Sequence, residues 1–183
     1  MTKIKVIQPE EAEGRLKEIY TDLIIKRGKL AEVHKIQSLR PESIVKHIDL
    51  YLEIMFSKSE LSRADREMMA VVVSVANRCE YCQTHHAEAL NNYWKDIEKV
   101  NQLRTNYNTL ALTEKEKTLC DFAKRLTLTP SEDFGLVEKL KTLDLSDAAI
   151  LDATLVIAYF NFVNRIVLGL GVNLEENAGG YKY

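Results

Sequence analysis

The stretch LSRADREMMAVVVSVANRCEYCQTHHAEAL, residues 61–90, contains the strongest signals for both the fold and the chemistry of this chain. Ser62 followed by Asp65 resembles a capping box, in which a hydroxyl and a carboxylate bind the free N–H groups of a helix start. The valines that follow also suit a buried strand, because β-branched residues favour strands. The capped, acidic start favours a helix, and a further helix is expected from Cys79.

Apolar residues at helical spacing, with residue types that start and stop helices, predict helices through most of the remaining chain. The first predicted helix follows Pro9 and stops at Gly28, and the second runs from Pro41 to Phe56. A later helix starts with the capping box of Thr113 and Glu116 and ends at Pro130. The last is capped by Ser146 and broken near Gly169 and Gly171. A short helix is expected after Ser131, and a short strand at residues 4–7 is the one exception. We therefore predict an all-α fold in a single domain, residues 1–183, with a loosely held tail, NLEENAGGYKY.

Two segments of the chain resemble each other. LSRADREMMAVVVSVANR, from Leu61, and LSDAAILDATLVIAYFNF, from Leu145, share a Leu-Ser opening, an alanine two places later and an asparagine after the apolar run. Such repeats indicate related structural units. We predict two related helical hairpins: a core motif hairpin at residues 61–94 and a degenerate second copy at residues 145–171, which has apolar residues in place of the cysteines.

Composition places the chain among ordinary folded proteins. Hydrophobic residues make up 46% and charged residues 28% of its 183 residues, which is enough apolar material for a core without cross-links. The net charge of -2 arises from mixed charges, which argues against binding to nucleic acid or to an anionic membrane. Three cysteines, an odd number, in a chain without an export signal argue against a disulfide framework.

Export and membrane insertion are not expected. The first residues, MTKIKVIQPEEAEGRL, contain no apolar stretch after the lysines of the kind that a secretory signal has. The most apolar window, residues 148–170, contains Asp152, Asn161, Asn164 and Arg165, which are costly in hydrocarbon unless they are paired. We expect this window to form a buried helix and the protein to be cytoplasmic.

Two cysteines and a histidine share one helix face, since residues three and four apart lie on the same side. Cys79, Cys82 and His86 form this ridge, whereas His85 points elsewhere. A place near the helix N-terminus favours a thiolate at Cys79, because the dipole and free N–H groups lower the pKa of a thiol. The two sulfurs can close a short disulfide loop, and His86 is placed to carry a proton near neutral pH.

Glu67 is the carboxylate that we expect to join this cluster. It lies twelve positions before Cys79 on an otherwise apolar helix face. One continuous helix would place these two residues roughly 18 Å apart. A bend at Asn77 and Arg78 would instead fold the first helix back beside the second and bring the carboxylate to His86, where it fixes the tautomer. Judged without its neighbours, a glutamate in the first turn of a helix is more often solvated.

The spacing of Glu67, Cys79, Cys82 and His86 resembles the signature of the alkyl hydroperoxidase D-like (AhpD-like) members of the carboxymuconolactone decarboxylase superfamily. The variant CEYCQTHH is similar to the branch called peroxidase-related enzymes. The likeness extends to LTEKEKTLCDFAKRLTLTP and YFNFVNRIVLGLGVNLEENAGGY, and so covers most of the chain. One difference is Tyr81, because alkyl hydroperoxidase D has a histidine immediately before its second cysteine. His85 is not an automatic substitute for that histidine, because it lies on another face of the helix.

The resemblance implies an AhpD-like helical bundle that assembles as a trimer or hexamer and acts as a thiol-dependent peroxidase without a cofactor or metal. It implies that Cys82 attacks the peroxide and becomes a sulfenic acid, and that Cys79 resolves it to a disulfide. Glu67 and His86 form the proton relay on this view. The implied partners are a hydroperoxide substrate and an unknown dithiol or protein reductant, with no nucleic acid and no membrane.

Three other interpretations remain open. The paired cysteines could be inert core residues, since free cysteine often behaves as a small apolar side chain. They could form a structural zinc site with His85 or His86, completed by Cys120 or Glu67. The chain could also be a non-enzymatic helical binding protein that oligomerises through its last apolar helix and uses the cysteines as a redox sensor.

The remaining chemically versatile residues are assigned to packing. Cys120, Met68, Met69 and Trp94 are expected in the core, and His34 and His47 at the surface or as satisfied core residues. Tyr81 is expected to border a pocket beside the sulfurs.

Overall fold

The computed structural model of the chain describes residues 2–175 and 180, and within these it contains nine α-helices and no strand. The helices are α1 (Gly14–Arg27), α2 (Glu32–Lys35), α3 (Pro41–Phe56), α4 (Arg63–Ala76), α5 (Glu80–Trp94), α6 (Ile97–Asn106), α7 (Glu114–Leu128), α8 (Leu136–Thr142) and α9 (Asp147–Leu170). Short 3-10 turns cover Pro9–Glu11 and Tyr107–Thr109. The predicted all-α fold is confirmed.

The predicted helix boundaries hold where a local hydrogen bond sets them. Ser62 Oγ accepts from the backbone N–H of Asp65, and the Asp65 carboxylate accepts from the N–H of Ser62, both at 3.0 Å. Thr113 caps α7 in the same reciprocal way, and Ser146 Oγ accepts from a backbone N–H at the start of α9. Gly28 ends α1 in the left-handed conformation that glycine adopts without strain.

The strand predicted at residues 4–7 is wrong. In the described part of the chain no strand lies beside this segment, and backbone groups in and next to it bond to the end of α9 and to a side chain in the turn after α2. Lys3 N–H donates to Leu170 O at 2.9 Å, and Ile7 N–H donates to Ser38 Oγ at 2.9 Å. These bonds attach the segment to the helical bundle without forming a sheet.

Helix α4 lies at the centre of the fold. All residues from 65 to 74 are buried, and the helix packs against α5, α7 and α9. A helix that is surrounded on all sides needs apolar residues on every face, which explains its run of valines. Met68, Met69 and Cys120 are fully buried and Trp94 packs against the same core, as predicted. A smaller apolar cluster joins α1 to α3.

The bend that the site requires is present between α4 and α5. Helix α4 ends at Ala76, and Arg78 takes a φ of 58°. Cys79 N–H then donates to Ser74 O at 2.8 Å, which closes the turn. Asn77 Nδ2 donates to Asn161 Oδ1 at 2.9 Å and ties the turn to α9. The chain reverses here, so that α5 packs back along α4.

The second copy of the motif does not form the expected hairpin. Within residues 145–171 the chain forms one uninterrupted helix, α9 (Asp147–Leu170), which continues through Gly169 and is capped by Gly171. The position equivalent to Arg78 is Phe162, which stays helical, and apolar residues continue the helix beyond it. The repeat therefore preserves a central apolar helix without preserving the turn.

Helix α9 is long and apolar enough to cross a membrane by length and composition alone. In this fold it packs against α3, α4 and α7. Its polar side chains are paired within the protein: Asp152 accepts from Ser59 Oγ at 2.5 Å, and Asn161 Nδ2 donates to Thr127 Oγ1 at 3.0 Å. Such contacts are typical of a helix in a protein core, as the sequence predicts for α9.

The segment after α9 is held against the protein as far as it is described. Val172 N–H donates to Val167 O at 3.0 Å, and Glu175 is bound by several polar groups described below. The prediction of a loosely held tail is therefore wrong for residues 173–175, in which Glu175 is bound. The rest of that prediction falls on residues 176–179 and 181–183, outside the described residues.

Candidate active site

A partly open cleft of about 560 Å³ lies beside the turn between α4 and α5. Its walls come from α1, α2, α3, α5 and α9. Helix α5 contributes Tyr81, Cys82, His85 and His86, and the facing walls are formed mainly by aromatic and imidazole rings. A sulfur and two histidines thus share one cleft, and Tyr81 borders it as predicted.

The predicted contact between Glu67 and His86 is present. Glu67 is 0% exposed, and its Oε2 lies 2.7 Å from His86 Nδ1. An ionised carboxylate only accepts hydrogen bonds, so Nδ1 carries the hydrogen and Nε2 is left as the acceptor of a neutral imidazole. The ring of His86 also packs edge-on against Phe160, with centroids 4.4 Å apart. The carboxylate is therefore a buried partner rather than a solvated cap residue.

Arg63 holds the other oxygen of Glu67, a contact that the sequence reasoning missed. Its Nε and Nη2 donate to Glu67 Oε1 at 2.9 and 2.6 Å. Nη1 donates to Met55 O at 2.7 Å, and the guanidinium lies 3.6 Å from the centroid of Phe56. Burial works to raise the pKa of Glu67, but His86 and Arg63 outweigh it, and the net pKa is lowered. Glu67 consequently remains an anion.

The two cysteines of the motif are thiols and both are buried. Cys79 is the N-cap of α5 and is 0% exposed, whereas Cys82 is 2% exposed and lines the cleft. The hydrogen bond with the Cys82 thiol lowers the pKa of Cys79 against the opposing effect of burial. The same bond, together with burial, raises the pKa of Cys82 well above its usual value. Of the two sulfurs, Cys79 is therefore the one that loses its proton more readily.

Asn164 of α9 is a further neighbour of the sulfurs. It is fully buried, its Nδ2 donates to Ser74 Oγ at 3.4 Å, and its amide partly offsets the rise in the pKa of the Cys82 thiol. This residue lies in the degenerate second copy of the motif. The second copy thus contributes to the site through an amide rather than through a sulfur.

A second carboxylate and histidine pair stands at the same cleft. The sequence predicts that His85 points away from the sulfur ridge, but the structure places it in the cleft wall, since the cleft borders more than one stripe of α5. Its Nε2 lies 2.8 Å from Oε2 of Glu175, which follows α9. Glu175 Oε1 accepts from Tyr81 Oη at 2.7 Å and from the backbone N–H of Glu32 at 2.8 Å. No sequence signal linked Glu175 to the motif.

Two more histidines line the cleft, where the sequence predicts no chemical role for them. Gln37 Nε2 lies 2.7 Å from His47 Nδ1, and His47 Nε2 lies 2.7 Å from Tyr159 Oη. Burial, with a smaller effect of Arg27, lowers the pKa of His47 to about 4, and burial lowers the pKa of His34 well below its usual value. Both rings are therefore uncharged at neutral pH, and they make this part of the cleft wall polar without adding a charge.

The free energy of unfolding should fall in acid because the hydrogen bonds to the ionised Glu175 carboxylate are lost. Burial raises the pKa of this carboxyl, but hydrogen bonds from His85, the N–H of Glu32 and Tyr81 lower it to about 2, against an ordinary value of 4.5. A lowered folded-state pKa stabilises the fold above the ordinary pKa, and this contribution is lost as the pH falls from about 4.5 to about 2. After a discount for partial exposure, we expect about 2 kcal/mol at neutral pH.

Denaturant unfolding of the wild type and Glu175→Gln at pH 7, 5, 4 and 3 measures this contribution. The two free energies of unfolding should differ most at pH 7 and 5, differ less at pH 4 and 3, and converge only as the pH approaches 2. A gap that stays constant over this range would show that the charge of Glu175 contributes nothing to stability.

The structural zinc interpretation has no support in the part of the chain that the structure describes. No group of three or more histidine, cysteine, aspartate or glutamate side chains there could hold a metal ion. The oxygens of Glu67 are already bound by Arg63 and His86. Cys120 lies in the core and is not among the cleft residues.

Comparison with known proteins supports the resemblance noted in the sequence. A sequence model of the Carboxymuconolactone decarboxylase family matches residues 44–125, a range that contains Glu67, both paired cysteines and His86. None of the curated proteins matches the chain significantly.

Solved structures share the fold over nearly the whole chain. An uncharacterized peroxidase-related protein from Ralstonia eutropha, described as an alkylhydroperoxidase AhpD core, has a TM-score of 0.85 at 21% identity and covers 96% of this chain and 93% of its own. An uncharacterized peroxidase-related protein from a Silicibacter species has a TM-score of 0.82 at 26% identity, covering 96% of each chain. The debrominase Bmp8 has a TM-score of 0.79 at 20% identity, covering 96% of this chain and 94% of its own.

The family match covers Glu67 and the residues of α5 that line the cleft, and the structural matches cover the helices around them. The family includes enzymes of more than one kind. Residues 44–125 therefore form a carboxymuconolactone decarboxylase family region, and the chain as a whole has the AhpD-like fold.

Proposed function

We propose that this protein is a thiol-dependent peroxidase that reduces organic hydroperoxides through Cys79 and Cys82. The observation that carries the proposal is that His86, held by Glu67 at 2.7 Å, lines the same cleft as Cys82. A sulfur that a small molecule can reach and an oriented imidazole are the groups that peroxide reduction by a thiol requires. The bend between α4 and α5 brings them together.

In the first step, the Cys82 sulfur attacks the distal oxygen of the hydroperoxide and the O–O bond breaks. His86 Nε2 takes the thiol proton of Cys82, since Nδ1 is engaged by Glu67. Cys82 becomes a sulfenic acid, and the alkoxide takes up one proton and leaves as an alcohol. The raised pKa of Cys82 makes this proton transfer necessary, because its thiol does not ionise readily by itself. Cys79, whose pKa is lowered, gives its proton to solvent before the second step.

In the second step, the Cys79 thiolate attacks the sulfur of the sulfenic acid. The S–O bond breaks, the disulfide forms, and hydroxide leaves as water with the proton that His86 holds. The two thiols are oxidised to a disulfide, and the hydroperoxide is reduced to an alcohol and water. The lowered pKa of Cys79 supports its role as the resolving nucleophile.

The partners follow from this chemistry. A dithiol or a protein reductant must convert the disulfide back to two thiols. The ring-lined cleft suits a hydroperoxide with an apolar or aromatic body. We further propose that the protein works without a bound cofactor, as a trimer or hexamer, in the cytoplasm where reduced thiols persist.

Thiol titration with a stoichiometric amount of cumene hydroperoxide tests the proposal. The chain has three cysteines, so the thiols counted after denaturation should fall from three to one per chain and return to three with dithiothreitol. Cys120 is expected to remain reduced, because it is buried and burial raises its pKa. Sustained peroxide consumption with dithiothreitol as reductant should follow.

The Cys120→Ser variant is the matched control, and it should lose both of its remaining thiols. Failure of the folded protein to lose any thiol would support the inert core interpretation. Loss of two thiols without sustained consumption would support a redox sensor instead of an enzyme.

Reductive debromination is a second candidate function. The cleft is lined by aromatic rings, and the fold is shared with a debrominase that has been solved in complex with 2,3,4-tribromopyrrole. In that reaction, the two thiols supply two electrons, bromide leaves, and the ring takes a proton in its place. Bromide release from 2,3,4-tribromopyrrole, measured beside hydroperoxide consumption, distinguishes the two functions.

A further inference from the structure

The cleft contains two histidines that are each paired with a carboxylate, and the peroxidase steps above use only one of them. His86 is paired with Glu67, and His85 is paired with Glu175. The side chains of the second pair are 10% and 14% exposed, so solvent competes little for their hydrogen bond. The two imidazoles are neighbours on α5 and both line the cleft that Cys82 reaches.

Glu175 is held firmly enough to orient its histidine. It lies 90 residues from His85 in the sequence, and its carboxylate also accepts hydrogen bonds from Tyr81 Oη and from the N–H of Glu32. These bonds lower its pKa to about 2, so the carboxylate is ionised at neutral pH. An ionised carboxylate fixes the His85 tautomer with hydrogen on Nε2, and it balances the charge when the ring is protonated.

Tyr81 has a part in this arrangement. It occupies the position immediately before Cys82, where alkyl hydroperoxidase D has a histidine. Its hydroxyl donates to Glu175 at 2.7 Å, and its ring lies 4.5 Å from that of His85. The residue that departs from the family pattern thus supports a histidine one turn further along the helix.

We propose that His85 is a second proton-transfer residue, which protonates the leaving alkoxide, and that Glu175 is its positioning residue. This inference rests on the proposed peroxidase function. His86 takes the proton of Cys82 and keeps it until hydroxide leaves in the second step. The alkoxide therefore needs a different proton in the first step, and the His85 imidazolium supplies it.

The protons balance with two histidines. As the O–O bond breaks, Cys82 passes its proton to His86, and protonated His85 passes one to the alkoxide. When the disulfide forms, His86 returns its proton to hydroxide to make water. His85 regains a proton from solvent, so one hydroperoxide and two thiol-derived electrons yield one alcohol and one water. The charge of Glu175 is paired while His85 is protonated.

Peroxides with different leaving groups test this division of roles. An alkoxide from tert-butyl hydroperoxide is strongly basic and needs a proton, whereas acetate from peracetic acid leaves without one. His85→Gln should slow the oxidation of Cys82 by tert-butyl hydroperoxide about 100-fold. The same variant should slow oxidation by peracetic acid less than about threefold. The measurement is the stopped-flow rate of a single oxidation of prereduced protein.

Three variants serve as comparisons. Glu175→Gln should show the same selectivity for the poor leaving group with a smaller loss, about tenfold, because the imidazole remains. His86→Gln should slow the reactions of both peroxides to a similar extent, since it acts on the thiol. Glu88→Ala removes another contact to the segment after α9, the one that accepts from the N–H of Gly180, and should leave both rates unchanged.

The outcomes separate this inference from the proposed function. Equal slowing of the two peroxides in His85→Gln would assign that residue a purely structural role and overturn the inference alone. Wild-type rates for both peroxides in His85→Gln would also overturn it alone. Wild-type protein that reacts with neither peroxide would overturn the peroxidase function, and the inference with it.

Discussion

Cys82→Ser is expected to abolish hydroperoxide consumption, with a fall of at least about 1000-fold in the rate constant for peroxide. Cys82 lines the cleft, whereas Cys79 lies behind it with 0% exposure, so a peroxide reaches the sulfur of Cys82 first. Cys79→Ser should still undergo one oxidation, because the attacking sulfur is intact. That oxidation should be slow and end as a trapped sulfenic acid, detected by dimedone labelling and mass spectrometry.

The shifted pKa values of the two cysteines make the opposite assignment worth testing in the same experiment. The pKa of Cys79 is the lower of the two, and a thiolate is the stronger nucleophile. If exposure to the cleft decides which sulfur attacks, only Cys79→Ser forms the dimedone adduct. If the lower pKa decides it, Cys82→Ser forms the adduct and the two roles are exchanged. Equal residual turnover in both variants contradicts a two-cysteine mechanism of either kind.

The features that the sequence predicted are those set by neighbours along the chain. Ser62 and Asp65 are three residues apart, and their reciprocal hydrogen bonds start α4 as expected. The turn at Arg78 was inferred from the chemistry, because Glu67 could not otherwise reach His86. A cap or a short-range spacing is visible in one sequence, since its physical cause lies within a few residues.

The features that the sequence did not predict depend on distant contacts. Glu175 reaches His85 across 90 residues, and His47 reaches Tyr159 across 112. Neither pair produces a periodic pattern. Arg63 is different, because it lies four residues before Glu67 on the same helix, a spacing that favours ion pairs. That signal was present and would have predicted a paired, buried Glu67.

The hairpin expected in the second copy shows the limit of repeat arguments. The two copies share the apolar pattern of α4 and α9, and these helices pack against each other. The turn of the first copy depends on one residue, Arg78, with a positive φ, and a shared apolar pattern does not specify that conformation. The loss of this one turn therefore makes the second copy a single helix instead of a hairpin, although α9 still packs in the core as α4 does.

Glu67→Gln is expected to reduce both the rate and the stability. The amide no longer fixes the His86 tautomer, and in this variant the mostly buried Arg63 loses its ion-pair partner. Removing one member of a buried ion pair costs about 3 kcal/mol of unfolding free energy. Losing the orienting carboxylate of a histidine should slow oxidation by hydroperoxide about 100-fold or more. Denaturant unfolding and stopped-flow oxidation measure the two effects.

Arg63→Gln separates these effects, because it breaks the same ion pair and keeps the bond between Glu67 and His86. Its loss of stability should be similar to that of Glu67→Gln, since a fully buried carboxylate is left with one partner fewer. Its loss of rate should stay below about tenfold, because the His86 tautomer is still fixed. If both variants lost rate in proportion to stability, the carboxylate would act only as a structural ion. A rate loss confined to Glu67→Gln would instead place Glu67 in the proton relay.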